Sequence, residues 1–502
     1  MNLRPDRPLN EMAGTKNETI NSLVHIDMKG GPPRLSYLLE MMALVAEWGG
    51  AGAGLLLEWE DMFPWAGPLA SLARPGHYTS EDLATLLGHA ATLGLQVVPL
   101  IQTFGHMEFV LKHEQFRHLR DIPLYPNCMR PVCVDPGDEV RALVRELVRQ
   151  VVAGHGPGLA TIHLGCDEVW SLGQSPATRA HMATSGATVT DMFLEHTAMA
   201  ATTARSLAGP GVRVLVWDDM MRTASVEQLR RHQLDTLVEP VVWSYGPQLC
   251  FPPGMVERYA AVWGAARTWG GAAWRGATGS CSALPLVRHH VDNCLAWRAA
   301  VRGGQLGGAG LVVTGWARYD HYAAPCDLLP AALHSLCCCL AALRSGWTEA
   351  TEQSVAASLG LAAPLVLETR SLTRDPEAAA PEPRYPGGAM LPAMVTYTRL
   401  AAEHAAVTSS DTIATWLNPW QLRTGFINPL QVQGALLTLS SLSSRLKDVG
   451  KILEREISVN LHEFTAEEWL HSNITPKIDQ IDKMLERALS LLNRLKQEEV
   501  GL

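Results

Sequence analysis

Two adjacent carboxylates, Asp167 and Glu168, sit within the segment HLGCDEVW at residues 163–170, directly after a short apolar run at 159–164. Neighbouring acids at the end of a buried strand repel one another, and burial resists ionisation of either. Such a pair can keep one carboxyl protonated as a general acid while the other stays charged, which is how paired carboxylates divide acid and base work. Taken alone, the same pair would be an acidic strand-to-helix turn that caps the next segment. Its surroundings favour chemistry.

Short β-rich apolar segments recur at 23–27, 54–59, 95–101, 160–165, 212–217, 237–243, 261–264 and 310–316. Helix-compatible stretches such as 37–48, 81–93, 139–152 and 190–207 lie between them. Alternating strands and helices predict a parallel sheet, and eight such units predict an α/β fold of the (β/α)8 TIM-barrel type. No Gly-x-Gly-x-x-Gly follows the first strand, which counts against an open doubly wound sheet. In a barrel the chemistry gathers at the C-terminal strand ends. Those ends carry Asp27, then Glu58, Glu60 and Asp61, then His106, then His163, Asp167 and Glu168. Trp217 and Asp218, Trp243 and Tyr245, and finally Trp316, Arg318 and Tyr319 complete the ring. Core packing does not explain such a gathering of acids, histidines and aromatics.

The chain has 502 residues, enough for one large domain and a smaller one. The expected division is a flexible N-terminal extension at 1–20, a catalytic barrel at 21–345 and a C-terminal helical region at 346–502. Pro376, Pro381, Pro383 and Pro386 mark a linker near 375–390. Ile478, Ile481, Leu485, Ala488, Leu492 and Leu495 recur on one helical face, a seam expected to pack within its own subunit, with a homodimer contact as the alternative. A net charge of −9 argues against nucleic acid as a partner, and no apolar run is long enough for a membrane span. The polar first twenty residues lack the apolar core of a secretory signal, so a cytoplasmic protein is expected, with nuclear access left open. The contiguous Cys337, Cys338 and Cys339 suit reduced, buried thiols and not a zinc site.

With these strand ends in view, the chain resembles the family 20 glycoside hydrolases. The family's His-x-Gly-x-Asp-Glu signature appears as His163, Gly165, Asp167 and Glu168. Its third-strand Pro-Gly-His element is similar to QTFGHMEF, which supplies His106, with Phe104 in place of the proline. EDMFPW at 60–65, WDDM at 217–220 and GWARYDHY at 315–322 extend the likeness across the barrel, and it continues more weakly into the helical tail. Two departures stand out. Cys166 occupies a position where glycine is common, and 22–29 contains no arginine to grip sugar hydroxyls, leaving His25, Asp27 or Lys29 for that task.

The resemblance implies cleavage of terminal β-linked N-acetylhexosamines from glycoconjugates or oligosaccharides with retention, the substrate's acetamide acting as nucleophile. Such enzymes depart from the usual pair of catalytic carboxyl groups. It implies Glu168 as general acid, Asp167 as the acetamide's N–H acceptor, and Tyr245 as donor to the acetamide oxygen. Trp217, Trp243 and Trp316 would wall the sugar, each with a core position as the alternative. His106 would bridge Glu60 and Glu168, or else bond only to backbone. His25, Asp27, Asp218, Arg318 and Tyr319 are assigned to substrate, with an Arg318–Asp320 ion pair as the other use of that arginine. No cofactor and no metal are expected. Two rival classes are a metal-dependent barrel hydrolase built on His25, Asp27, His106, His163 and Asp167, and a sugar-binding barrel with weak or no catalysis.

Overall fold

The computed structural model describes residues 20–361, 367 and 383–500. Eight parallel strands close a barrel in sequence order: β1 (Ser22–Asp27), β2 (Ala53–Glu58), β3 (Gln96–Leu100), β4 (Thr161–His163), β5 (Arg213–Trp217), β6 (Glu239–Trp243), β7 (Trp269–Arg275) and β8 (Gly310–Gly315). The outer helices are α1 (Leu35–Gly49), α2 (Ser80–Thr92), α3 (Glu139–His155), α4 (Val189–Ala208), α5 (Val226–Arg231), α6 (Met255–Val262), α7 (Val287–Arg302) and α8 (Leu329–Ser345). Local sequence sets several of their starts. Thr79 with Asp82 and Thr188 with Asp191 form reciprocal capping boxes at α2 and α4, satisfying free N–H groups of the first turn.

Strand side chains alternate between barrel interior and helix layer. Leu23, Leu56, Val98, Leu100, Leu215, Val241 and Val312 fill the interior with apolar side chains. Two residues further along the strands the same face carries His25, Glu58, Gln102, Trp217 and Trp243. An apolar plug therefore supports a polar floor at the C-terminal end. Cys337, Cys338 and Cys339 are buried free thiols on α8.

One expected strand is displaced. Residues 261–264 finish α6 and its turn, and the seventh strand is WGGAAWR at 269–275. The short apolar run at 261–264 continues a helix begun at Met255. The true strand is rich in glycine and alanine and has no β-branched residue, so it lacks the usual composition signal. Gly270 is needed there: a Cβ would come within 2.6 Å of the Trp297 ring on α7.

Past the barrel come α9 (Glu349–Leu359), α10 (Met390–Thr408), α11 (Pro429–Asn460), α12 (Glu463–Asn473) and α13 (Thr475–Val500). The predicted seam lies on α13, where Ile481, Ala488 and Leu492 are buried as the helix packs on α11. The bundle is fastened to the loop after β1: Pro33 bridges Leu461, and Arg34 Nε donates to the Ser458 carbonyl at 2.8 Å. The N-terminal extension, apart from residue 20, lies outside the described residues, as do Pro376 and Pro381. Next to Pro386, whose carbonyl accepts from the Tyr37 hydroxyl at 3.2 Å, Tyr385 is buried. No described helix is long and apolar enough to cross a membrane.

Candidate active site

The turn after β4 is held in a tightly wound backbone. Gly165 N–H donates to His163 Nδ1 at 3.0 Å, and Cys166 N–H donates to Gln102 Oε1 at 3.2 Å. Cys166 (φ 70°), Glu168 (φ 54°), His106 (φ 49°) and Glu60 (φ 44°) all adopt the left-handed region, which non-glycine residues occupy under strain. The unusual Cys166 thus stands where backbone geometry favours glycine. It is held by burial and by a contact of 3.2 Å between its Sγ and Thr103 Oγ1. Across from it, a Cβ on Gly105 would lie 1.8 Å from the Asp167 carbonyl oxygen. Glycine before His106 lets the β3 loop press against the acid pair.

That approach assembles the centre. His106 Nε2 lies 3.2 Å from Glu168 Oε2 and 3.6 Å from Asp167 Oδ2. Burial disfavours a charged imidazole, but Asp167 and the bond to Glu168 outweigh it and push His106 up to about 10. That bond draws Glu168 below its ordinary value, with burial opposing. Burial raises Asp167 despite His106, and Glu58 and Glu168 add to the rise. Asp167 Oδ1 is buried and has no hydrogen-bond partner. Because the His106 value rises from 6.5 on folding, its contribution to stability is complete below about pH 6.5 and disappears as pH climbs towards 10. Melting curves should show His106→Gln losing less stability than wild type over that interval. Parallel pH dependence of the two proteins would deny the imidazolium.

Beneath this centre lies a second charged layer. Lys29 is buried with Nζ 3.0 Å from Asp27, 3.4 Å from Glu58 and 3.7 Å from Glu60, and 5.1 Å from the Trp316 ring centroid. Three carboxyls around one ammonium cannot all ionise cheaply. Burial opposes ionisation of Glu58, but Lys29 and His25 hold it well below its usual range, while burial and its acidic neighbours push Glu60 well above, against Lys29. Burial lowers His321 to about 4, so a neutral imidazole sets its Nε2 2.5 Å from the Glu60 carboxyl. Lys29→Met would strand the remaining buried carboxylate charge. A loss of about 3 kcal/mol in urea unfolding is expected, and an unchanged midpoint would refute the pairing.

Several expected contacts are corrected by these partners. His106 does not bridge to Glu60; it pairs with Asp167 and Glu168, while Glu60 pairs with His321 and Lys29. His25 is buried, bonded to Glu58 at 3.0 Å and accepting from Gly315 N–H at 3.4 Å. Asp27 accepts from the N–H groups of Lys29 and Ala317, both at 2.9 Å. These two residues brace the floor from below. His163, lowered to about 3 by burial, packs under Trp217 at 4.5 Å. Of the five residues of the metal reading, only His106 and Asp167 face each other, at 3.6 Å, while His25, Asp27 and His163 bond to Glu58, Lys29 and the Gly165 N–H. Among the described residues no group of three or more such side chains is placed to hold a metal ion.

The aromatic wall stands on β5, β6 and β8. Trp217 is fully buried as the lower surface, whereas Trp243, Tyr245 and Trp316 are half-buried around the opening. Trp316 Nε1 donates to the Tyr245 hydroxyl at 3.1 Å, which leaves that hydroxyl's proton to be donated. Residues of α7 pin the Tyr245 loop: Asn293 Nδ2 donates to the Ser244 and Gly246 carbonyls, each at 2.7 Å, and His289 bonds the Tyr245 carbonyl at 2.7 Å.

Asp218 turns away from this opening and is held by Arg222 at 2.7 and 2.9 Å. The next residue faces inward: Asp219 accepts from Glu168 N–H at 3.0 Å and from Trp243 Nε1 at 3.4 Å. Burial and the nearby Asp167 charge raise Asp219 to about 7. The WDDM motif contained both acids, but only the 3-10 turn begun at Asp219 shows which one returns to the barrel. Arg318 is buried and pairs with Glu468 of α12 at 2.7 Å, not with Asp320. Tyr319 is exposed on the rim. Lys29 had been only one of three alternatives, Glu58 carried no role, and Gln102, Asp219 and His321 were not singled out. Their signal was position, two residues along an interior strand face or inside an already noted motif.

This arrangement has relatives. A model of the catalytic domain of glycosyl hydrolase family 20 matches residues 64–245, the stretch that holds His106, Asp167, Glu168, Asp219 and Tyr245. The protein named Hexosaminidase D from Homo sapiens is 34% identical over 471 residues, covering 92% of this chain and 93% of its own. This chain belongs to glycosyl hydrolase family 20. The Bos taurus protein named Hexosaminidase D is 39% identical over 334 residues, covering 64% of this chain and 92% of its own. The match to the human relative is longer than the barrel, so family likeness extends into the helical region. Among solved structures, a β-N-acetylhexosaminidase from Bacteroides fragilis is similar with a TM-score of 0.46 and 13% identity, over 64% of this chain and 66% of that one.

Proposed function

We propose that this family 20 enzyme is a retaining β-N-acetylhexosaminidase that removes terminal N-acetylgalactosamine or N-acetylglucosamine from glycoconjugates by substrate-assisted catalysis. The observation that carries the reading is the buried, unpartnered Oδ1 of Asp167 beside the His106–Glu168 pair. A buried acceptor without a donor is costly, and an acetamide N–H supplies the missing donor. Asp167 then holds the acetamide so that its carbonyl oxygen, which takes the Tyr245 proton in a hydrogen bond, faces the anomeric carbon.

In the first step the acetamide oxygen bonds to that carbon as the glycosidic C–O bond breaks. Glu168 delivers a proton to the leaving oxygen. The resting pair keeps this proton on His106, and sugar in the pocket strips water from Glu168, whose side chain is 40% exposed. Desolvation raises the carboxyl and draws the proton across. Positive charge on the oxazolinium is offset by Asp167. Water then attacks the anomeric carbon, Glu168 takes its proton, and the acetamide is released, restoring the original anomer. Trp243 and Trp316 exclude bulk water from the ring.

The test is turnover of 4-nitrophenyl β-N-acetylgalactosaminide and β-N-acetylglucosaminide beside 4-nitrophenyl β-galactoside. Cleavage of one or both acetamido sugars with little cleavage of the plain galactoside is expected. No turnover of any of them would support the non-catalytic sugar-binding barrel instead.

A further inference from the structure

A cleft of about 700 Å³ opens on the same face of the barrel, between the loops after β2, β3 and β8 and the first turns of α12. His321 and Glu60 connect it to the charged layer around Lys29. His321 bonds Glu60 on one side and reaches 3.6 Å from Asp61, which lines the cleft, on the other. Arg318, expected at the sugar, lines this cleft.

Its cations are unequally engaged. Lys112 is paired with Asp61 at 2.8 Å and Arg318 with Glu468 at 2.7 Å. Among the described residues the Arg74 guanidinium forms no ion pair; it sits over the Phe464 ring, 3.6 Å from its centroid. Stacking fixes the plane of a guanidinium and leaves its edge donors free, the arrangement suited to bidentate recognition of an oxyanion. Asp61 is buried, and its Oδ1 has no partner. That oxygen is an acceptor for a hydroxyl group. A cleft of this size holds more than one sugar ring.

We propose that the cleft binds an acidic sugar of the glycoconjugate, with Arg74 receiving its carboxylate or sulfate and Asp61 accepting from a hydroxyl. The inference rests on the N-acetylhexosaminidase reading of the adjoining centre, because it makes the cleft a site for the part of the substrate beyond the sugar removed. It also gives the helical region a role: Phe464 and Glu468 form one wall.

The experiment compares wild type with Arg74→Gln on four substrates. These are 4-nitrophenyl β-N-acetylgalactosaminide, an oligosaccharide with β-linked N-acetylgalactosamine on neutral sugars, and its counterparts bearing a uronic acid or a sulfated sugar next to the cleaved bond. Arg74→Gln should lower kcat/KM about 10–100-fold on the acidic substrates, the worth of a charged hydrogen bond, and leave the other two unchanged. The uronate and sulfate arms separate the two sources of anion. Phe464→Leu, which removes the ring beneath the guanidinium, should weaken the acidic substrates in the same sense. Equal effects on acidic and neutral substrates, or none on either, would overturn the proposal. Failure of wild type on the nitrophenyl substrate would count against the catalytic reading and not against the cleft.

Discussion

Glu168→Gln is expected to lower turnover about 10²–10⁴-fold, the usual range for general acid–base assistance. The amide keeps the shape of the side chain and its place beside His106, 3.2 Å away in the parent, but cannot pass a proton to the leaving oxygen. The loss should be smaller for nitrophenyl glycosides, whose leaving groups depart without full protonation, than for sugar aglycones. A series of aryl leaving groups checks this directly through the slope of log kcat/KM against leaving-group pKa. The variant should be more sensitive to leaving-group quality than wild type. Equal losses on good and poor leaving groups would remove Glu168 from the acid's role.

Asp167→Asn is expected to cost about 10²–10³-fold in kcat, comparable with removing one preorganised group that faces developing charge in the transition state. The parent carboxylate does two things that the amide cannot do together. In the proposed mechanism it accepts the acetamide N–H at Oδ1 and places negative charge beside the oxazolinium. Because Asp167 also raises His106, the variant should show His106 titrating closer to 6.5, visible in the NMR of its ring protons. A thiazoline analogue of the bicyclic intermediate should bind wild type far more tightly than the product sugar does, and lose most of that advantage in the variant. Comparable binding of thiazoline and product by wild type would contradict the intermediate.

The sequence made the barrel legible because most of its strands are β-branched runs of ordinary length ended by polar residues. β7 was hidden for the opposite reason: Gly270 and Gly271 serve close packing against Trp297 and Trp243, so the strand lost the residues by which strands are recognised. At the site, the acid pair and His106 were legible from motifs whose geometry is local. The partners of His25, Glu60 and Arg318 were not, because each lies on another strand, on the loop that follows one, or on the C-terminal bundle. Glu468 is 150 residues from Arg318, and nothing in either segment announces the other. Asp218 and Asp219 differ only in the direction of one peptide step at the end of β5. A motif delivers both, and only backbone geometry distinguishes them.

The central claim is that the substrate's acetamide is the nucleophile, and its most direct measurement varies that nucleophile alone. Aryl β-glycosides carrying N-acetyl, N-fluoroacetyl, N-difluoroacetyl and N-trifluoroacetyl groups keep the ring and leaving group constant while the carbonyl oxygen becomes steadily less basic. With Asp167 and Tyr245 holding the acetamide for attack, log kcat/KM should fall steeply and in order along the series, and the plain galactoside should lie at or below its end. A flat dependence on fluorine content, accompanied by a covalent sugar adduct on any Asp or Glu of the site, would contradict it.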